Sequence, residues 1–562
     1  MKKNKLLTIL FILVIIVGGI LRFTKILNFP PSLNWDEVSH GYNTYSILKT
    51  GSDEWGKKFP IINFRAYGDY PLPLNLYLTI PSIYFLGLNE FSIRFPHMFL
   101  GFLTIISAYF LTLGLTKDKK VSLLTALLVA IGPWFFFTSK VVFQSNISVF
   151  LLTSAMAMFV NRKKSRFLLP LSFLFLYLTL FSYHSTRIFS PIFLVGLIFF
   201  IKKEFIGLLK QKKIEAILSL IIVFVFFTTL PLIFLNPEST ARSQWVFVIN
   251  QGVVNRIIEL RQTSRLPSLI TRLIYNRPVF FVKEFFLNYF GYFSPIFLFF
   301  KGGTQYQFSL QNHGLLFLVN LPFYYFGLLL FFKNVFKEKE TKWKIIFFWL
   351  VISLIPASIT SEKFAVLRST TILPLPQILI SLAFFRVKKL LKDKKLKYIF
   401  LLVYLFSLVW SFRNYYFRLT NDYPKKYSSS WQYSYREVSG FIEENYDNYD
   451  KIIVTKKYGE PHEFLLFNLK WDPSLYKKDE NLIRFYQSYW WWVDSFDKFY
   501  FVNDWDISKE ESVFKLESGI SVDCKEVKCL LVTESDKYPL GWGKIKSYNF
   551  LDGKEAFGLY EN

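Results

Sequence analysis

LLTILFILVIIVGGIL, residues 6–21, contains no charged side chain, and its reading decides the solvent in which the rest of the chain folds. A helix rises about 1.5 Å per residue, so this run and its flanks reach across the ~30 Å hydrocarbon layer of a bilayer. ILSLIIVFVFFTTLPLIF at 217–234 does the same. The whole composition agrees: of 562 residues 52% are hydrophobic and 20% aromatic, and the mean hydropathy is +0.29. A water-soluble globule is disfavoured, and a bundle of membrane-crossing helices is expected.

The net charge of +26 would in a soluble protein suggest nucleic acid. Its placement argues for a membrane. The basic residues gather between apolar runs: Lys2, Lys3 and Lys5; Lys117, Lys119 and Lys120; Arg162, Lys163, Lys164 and Arg166; Lys202, Lys203, Lys210, Lys212 and Lys213; then 333–344 and 386–397. Short basic loops face the cytoplasm, where anionic lipid headgroups are their partners. No nucleic-acid partner is expected.

This charge pattern predicts spans near 6–26, 91–115, 121–137, 143–160, 167–183, 188–201, 214–235, 314–332, 345–360, 370–386 and 398–413, with the N-terminus cytoplasmic and the C-terminus extracytoplasmic. The first run, preceded by lysines, lacks a small-residue cleavage site and is read as a retained span. Two weaker stretches, 74–88 and 279–300, fit interfacial helices or a hairpin, so the expectation is about 11–13 transmembrane helices. Residues 1–413 form the membrane domain, with 27–90 as its first extracytoplasmic loop. Residues 414–562 change in composition and show short strand-like runs, KIIVT at 451–455, KFYFVN at 498–503 and KCLLVT at 528–533, which predict a small extracytoplasmic α/β domain. Cys524 and Cys529 read equally well as two unremarkable residues or as one local disulfide.

The chemistry concentrates in the first outer loop, where Pro30-Pro31-Ser32-Leu33 leads to Asn34-Trp35-Asp36-Glu37. Two adjacent carboxylates stand here close to the membrane surface. Asp36 suits the N-cap of a helix ended by Gly51, which is its plainer reading in isolation, and a capping carboxylate can also serve as a general base. Arg94, Arg187 and Arg368 fall at outer ends of spans, and Lys140 lies in an outer turn. Singly, each is an ordinary snorkelling side chain; together they suit an anion.

Asp36-Glu37, GDYPLPLNLYL at 68–78, SIRFPHMFLG at 92–101, SYHSTRIFSP at 182–191 and LRSTTILPLP at 367–376 resemble, in order and spacing, the GT-C superfamily of membrane glycosyltransferases, which includes the protein O-mannosyltransferases and the aminoarabinose lipid A transferases. The resemblance covers about three quarters of the chain. It implies an inverting transfer from a polyprenyl-phosphate sugar to a protein, lipid or glycan acceptor of the cell envelope. Asp36 would be the base and Glu37 would orient the acceptor or a metal, while Arg94, Lys140, Arg187 and Arg368 would hold the donor phosphate.

The chain also departs from that pattern. Asp69 precedes split prolines where relatives carry a lysine, and Gln144 and Asn146 stand where many have a carboxylate. Asp69 is a candidate substrate contact, though a solvated loop acid is its plain reading. His40, three residues after Glu37, shares a helix face with it and is a candidate for a divalent metal, although an interfacial pair is the plainer reading. Neither HExxH, Walker A nor GxGxxG occurs in the sequence, so a lipid-linked donor fits better than a nucleotide sugar. Asp504-Trp505-Asp506 reads as a turn. The aromatic run Tyr489-Trp490-Trp491-Trp492 suits sugar stacking, and better suits packing onto the membrane domain. A lipid-linked sugar flippase is the alternative function; it would bury charges at mid-membrane, whereas these spans keep their charges at their ends.

Overall fold

The computed structural model describes residues 2–24, 28–337 and 340–562. Residues 25–26 of the first expected span, residue 27 of the loop and residues 338–339 of the basic cluster at 333–344 lie outside them. The chain divides into two compact units. One comprises 1–24, 97–139 and 143–416, and the other 25–96, 140–142 and 417–562. The first loop thus belongs with the C-terminal segment.

The first unit is helical. Lys5–Phe23, Glu90–Thr116, Ile214–Phe234, Thr341–Ser358 and Lys394–Tyr427 are each long and apolar enough to cross a membrane, so the chain is polytopic. The helices Lys2–Phe23 (α1) and Ile214–Phe234 present rows of exposed leucine, isoleucine, valine and phenylalanine, the surface expected where lipid is the solvent. Every expected span contains a helix, and the departures have local causes. Residues 121–137 are broken at Gly132 into Lys119–Ile131 and Pro133–Thr138. Residues 370–386 begin as a 3₁₀ turn, Thr370–Ile372, and become α-helical only at Leu375, after Pro374, because a proline opens a helix more readily than it continues one. The span expected at 188–201 is the helix His184–Lys210: Lys202, Lys203 and Glu204 leave the apolar layer but not the helix.

The break at Gly132 explains a buried charge. Pro133 has no N–H to give the Val129 carbonyl, and the Trp134 N–H turns to Leu315 O at 3.3 Å. Arg22, wholly buried, fills both vacancies, with Nη1 to Ala130 O at 2.9 Å and Nη2 to Val129 O at 3.1 Å. A guanidinium with several fixed donors suits two stranded carbonyls.

The second unit is built on a seven-stranded mixed sheet. In chain order its strands are β1 (Lys451–Thr455), β2 (Ile483–Gln487), β3 (Trp490–Phe496), β4 (Phe499–Val502), β7 (Cys529–Thr533), β8 (Gly543–Asn549) and β9 (Glu555–Glu561); β5 (Val513–Lys515) and β6 (Ser521–Asp523) pair separately. The spatial order is β2-β3-β4-β1-β7-β9-β8. Central β1 runs parallel to β4 and β7, in register Ile452 with Phe499 and with Leu530. Strands buried on both faces should read as continuous apolar runs, and these three are the ones visible in the sequence. One face covers Ile453, Phe514, Trp542 and the Cys524–Cys529 disulfide.

The other face carries the first loop. Leu33, Val38 and Tyr42 share a core with Val438, Ile442, Phe464, Phe467 and the strand residues Ile452, Phe499 and Leu530. Close approach is enforced at Gly41, where a Cβ would stand 2.5 Å from the Phe467 ring. The aromatic run packs, as expected, on the 27–90 loop of the predicted membrane domain: Trp490 stacks on Tyr67 at 5.3 Å, and Trp491 meets Trp55 edge-on at 5.5 Å.

Candidate functional site

The helix Trp35–Thr50 (α2) places the acidic pair. Its N-cap is Asn34, not Asp36: Asn34 Oδ1 accepts from Glu37 N at 2.9 Å, while Glu37 Oε2 accepts from Asn34 N at 3.3 Å. This reciprocal box satisfies two amide hydrogens that a helix start leaves free. Gly51 closes the helix in the left-handed conformation, φ 70°. Asparagine outcompetes Asp36 because the glutamate that completes the box lies three residues after Asn34. Asp36 is left in the first turn with its side chain exposed, where the positive end of the helix dipole favours its charge.

Glu37 is spent on structure. Wholly buried, it makes a two-pronged ion pair with Arg94, Nε to Oε1 at 2.9 Å and Nη2 to Oε2 at 2.8 Å, and Oε1 also accepts the Val142 N–H at 3.1 Å. Arg94 opens the helix Glu90–Thr116 and gives its remaining donors to Glu90 at 2.5 Å and the Ser32 carbonyl at 2.7 Å. Three parts of the chain are buckled together, so α2 and the exposed Asp36 are held in place. Lys140 is buried two residues before Val142.

His40 and Glu37 share a helix face, as expected, but not a metal. The His40 ring sits against Phe64 and bonds Asn75 through Nδ1 at 2.8 Å, and burial holds its pKa down at about 4. With both Glu37 oxygens engaged, the donor set does not fit a cation. Among the described residues no cluster of three or more metal-capable side chains gathers. Asp69 lies in a turn, its backbone exchanging hydrogen bonds with Ala66 and its carboxylate accepting from Tyr70 N at 2.8 Å.

Beside α2 the second unit buries an acidic cluster that no spacing in the sequence announces. Tyr67 donates to the Trp35 carbonyl at 2.9 Å and is close enough to feel the charges of Glu463, Glu460 and Asp36. Glu460, bonded by the Trp490 indole, is pushed up to about 8 by burial. Glu54 rises to about 7 from burial, partly offset by Arg484, and burial together with Glu54 raises Glu463 further. His462 is held neutral by burial and by Arg484 and Lys456. Gly459, at φ 112°, lets the chain pass Trp35, whose ring would lie 2.1 Å from a Cβ.

In the first unit, Arg187 and Arg368 come together in a cavity of about 210 Å³. Its wall joins the start of His184–Lys210, the end of Ile214–Phe234, the helix Pro237–Val246 and residues 356–368. Backbone pairing fastens the wall, with Ser361 N to Val246 O at 2.9 Å and Val248 N to Ile359 O at 3.0 Å. That pairing brings in Arg242, hidden in the sequence because PESTARSQWV reads as polar loop, and His184 from the start of the helix His184–Lys210. Arg187 donates from Nε to Leu180 O at 3.0 Å, and Arg368 pairs with Glu362 at 3.0 Å. Among its described lining residues the cavity carries three arginines and no carboxylate. Such a site favours an anion, above all an oxyanion that guanidinium can grip at two points.

Residues 12–237 match the family described as dolichyl-phosphate-mannose-protein mannosyltransferase. Among solved structures the chain is similar to ArnT from Cupriavidus metallidurans bound to undecaprenyl phosphate, with 11% identity and a TM-score of 0.51 over 99% of this chain and 97% of that one. The apo form of that protein gives 0.50 at the same identity and coverage. The Archaeoglobus fulgidus oligosaccharyltransferase in its apo form aligns with 82% of this chain at 14% identity and a TM-score of 0.49, and this chain spans 63% of that protein's length. No curated protein matches the sequence.

Proposed function

We propose, starting from a polytopic chain with the GT-C architecture, that this protein is an inverting glycosyltransferase drawing its sugar from a polyprenyl-phosphate carrier at the outer face of the membrane. The carrying observation is the contrast within one helical turn: Glu37 is locked and buried while Asp36, next to it, is exposed on a backbone that cannot drift. A base must be positioned, charged and reachable by the acceptor. Asp36 takes the proton from the acceptor hydroxyl as that oxygen bonds to the anomeric carbon. The bond from that carbon to the lipid phosphate breaks on the opposite face, and the phosphate leaves as an anion.

Arg187, Arg242 and Arg368 are the groups we assign to that phosphate, because concentrated fixed positive charge stabilises a developing oxyanion without reorganising. Lys140 stays with them as a candidate. Arg94 holds α2 instead, and Glu37 orients the site through it. ArnT bound to undecaprenyl phosphate and the mannosyltransferase family match support a lipid-phosphate donor. The acceptor belongs to the cell envelope and is protein, lipid or glycan. His40 and Glu37 have their donors engaged elsewhere and do not hold a metal between them, and no step above is routed through one.

We place the N-terminus in the cytoplasm and the α/β domain, residues 414–562 together with loop 27–90, outside, following the lysine-rich turns. The test is transfer of labelled mannose from a polyprenyl-phosphate donor to envelope material in membranes with and without the protein. Labelled product only with the protein supports the proposal. Donor crossing the membrane with no new glycosidic bond would establish the flippase alternative.

A further inference from the structure

The second unit has a cavity of about 460 Å³, within the range of pockets that enclose small ligands. It opens between the loop helices and the helix Tyr435–Glu444. Val38 lines it, and Val38 lies two residues after Asp36 on α2. At 3.6 residues per turn those positions point about 200° apart, so the cavity is on the opposite face of α2 from the proposed base. It is not the place where that base would act.

Its wall combines aromatic faces with carboxylates. Tyr433 and Phe467 contribute rings; Glu90 reaches Arg436 at 3.8 Å, and Arg436 reaches Glu437 at 3.4 Å. Of the charged lining residues, three are acids (Glu90, Glu437, Glu443) and two are bases (Arg436, Lys470), a balance that disfavours polyanions and leaves both donors and acceptors on the rim. Ring faces take the C–H face of a sugar ring, while carboxylate and guanidinium groups bond its hydroxyls.

Gly440 adds a second observation. It stands inside the helix Tyr435–Glu444 and lines the cavity, and a Cβ built on it meets nothing within 4 Å. A mid-helix glycine costs roughly 1 kcal/mol against alanine, and here neither packing nor a positive φ demands it. What glycine supplies at this point is room.

We infer that this cavity is a second, non-catalytic site that binds an uncharged sugar unit of a glycan, and that it holds the acceptor. The acceptor part rests on the transferase reading above; the binding part does not. The test is direct binding of neutral mannose and galactose oligosaccharides to the purified full-length protein, with no donor present, followed by saturation-transfer NMR. Wild type and Asp36→Asn should bind alike, Gly440→Trp should bind at least tenfold more weakly, and Glu437→Gln, which leaves the helix intact, should also weaken binding. Absence of binding by wild type, undiminished binding by both cavity variants, or tighter binding of the corresponding sugar phosphates would overturn the inference. If binding behaves as expected while Asp36→Asn still transfers sugar, the cavity stands and the catalytic assignment falls.

Discussion

Arg94, Arg187 and Arg368 look alike in the sequence, since all three stand at expected outer ends of apolar spans, yet the structure gives Arg94 surroundings unlike those of the other two. Arg94 meets two carboxylates, Glu37 and Glu90, and a carbonyl. Arg187, Arg242 and Arg368 line one cavity whose described lining carries no carboxylate, while Glu362 bonds Arg368 and Gln305 and is close enough to Arg242 to feel its charge. A buried cation locked between carboxylates is a fastener; several cations lining one cavity favour an anionic ligand there.

The largest consequence falls on the fastener. Arg94→Met strands the buried Glu37 carboxylate and takes the nearer partner from half-buried Glu90, and should cost about 3–5 kcal/mol, read as a large fall in thermal midpoint and in monodisperse yield. Pairing it with Glu37→Gln should recover part of the loss. A folded, fully stable Arg94→Met would erase the distinction drawn here.

The cavity should respond in the other way. Arg368→Gln and Arg242→Gln should each weaken binding of a polyprenyl-phosphate donor roughly tenfold, the effect of about 1.4 kcal/mol for one charge-assisted contact, with little change in thermal midpoint. Unchanged donor affinity in both variants would remove the phosphate assignment.

An effect on pH dependence separates the buried acids beside α2 from both groups of arginines. Glu460 is raised to about 8 from an ordinary value of 4.5, so the folded protein binds the extra proton across that interval and loses stability as pH climbs through it. Glu460→Gln should flatten the decline in thermal midpoint between about pH 5 and 8; an unaltered profile would show that Glu460 is not held protonated. Smallest of all, Asp69→Asn should change stability by no more than about 0.5 kcal/mol and leave transfer intact, which activity and melting assays on one preparation would check.

Much of the architecture was legible because lipid and sheet burial both write continuous apolar runs: the spans, and the three central strands β1, β4 and β7. Strands β2, β3 and β8 escaped because their residues are largely solvent-accessible or tryptophan-rich and lack a clean alternation, and buried β9 because glutamates bound it and Gly558 interrupts its short apolar run. The acidic turn at Asp36-Glu37 was also legible, but not the division of labour within it. That depends on Arg94, Glu90 and Val142, whose meeting with Glu37 is a tertiary fact. Asn34 was passed over as the cap, although Glu37 three residues on is the usual partner of such a cap. Arg242 was hidden because backbone pairing of 246–248 with 359–361 has no sequence signature.

Catalysis turns on an exposed carboxylate at a fixed helix start, and single-turnover transfer by Asp36→Asn tests this most directly. With donor saturating and the fold checked by melting, the variant should form glycosidic product at least a hundredfold more slowly than wild type while binding donor equally well. Product formation at the wild-type rate would mean that the acceptor's proton goes elsewhere, and the proposed mechanism would be wrong.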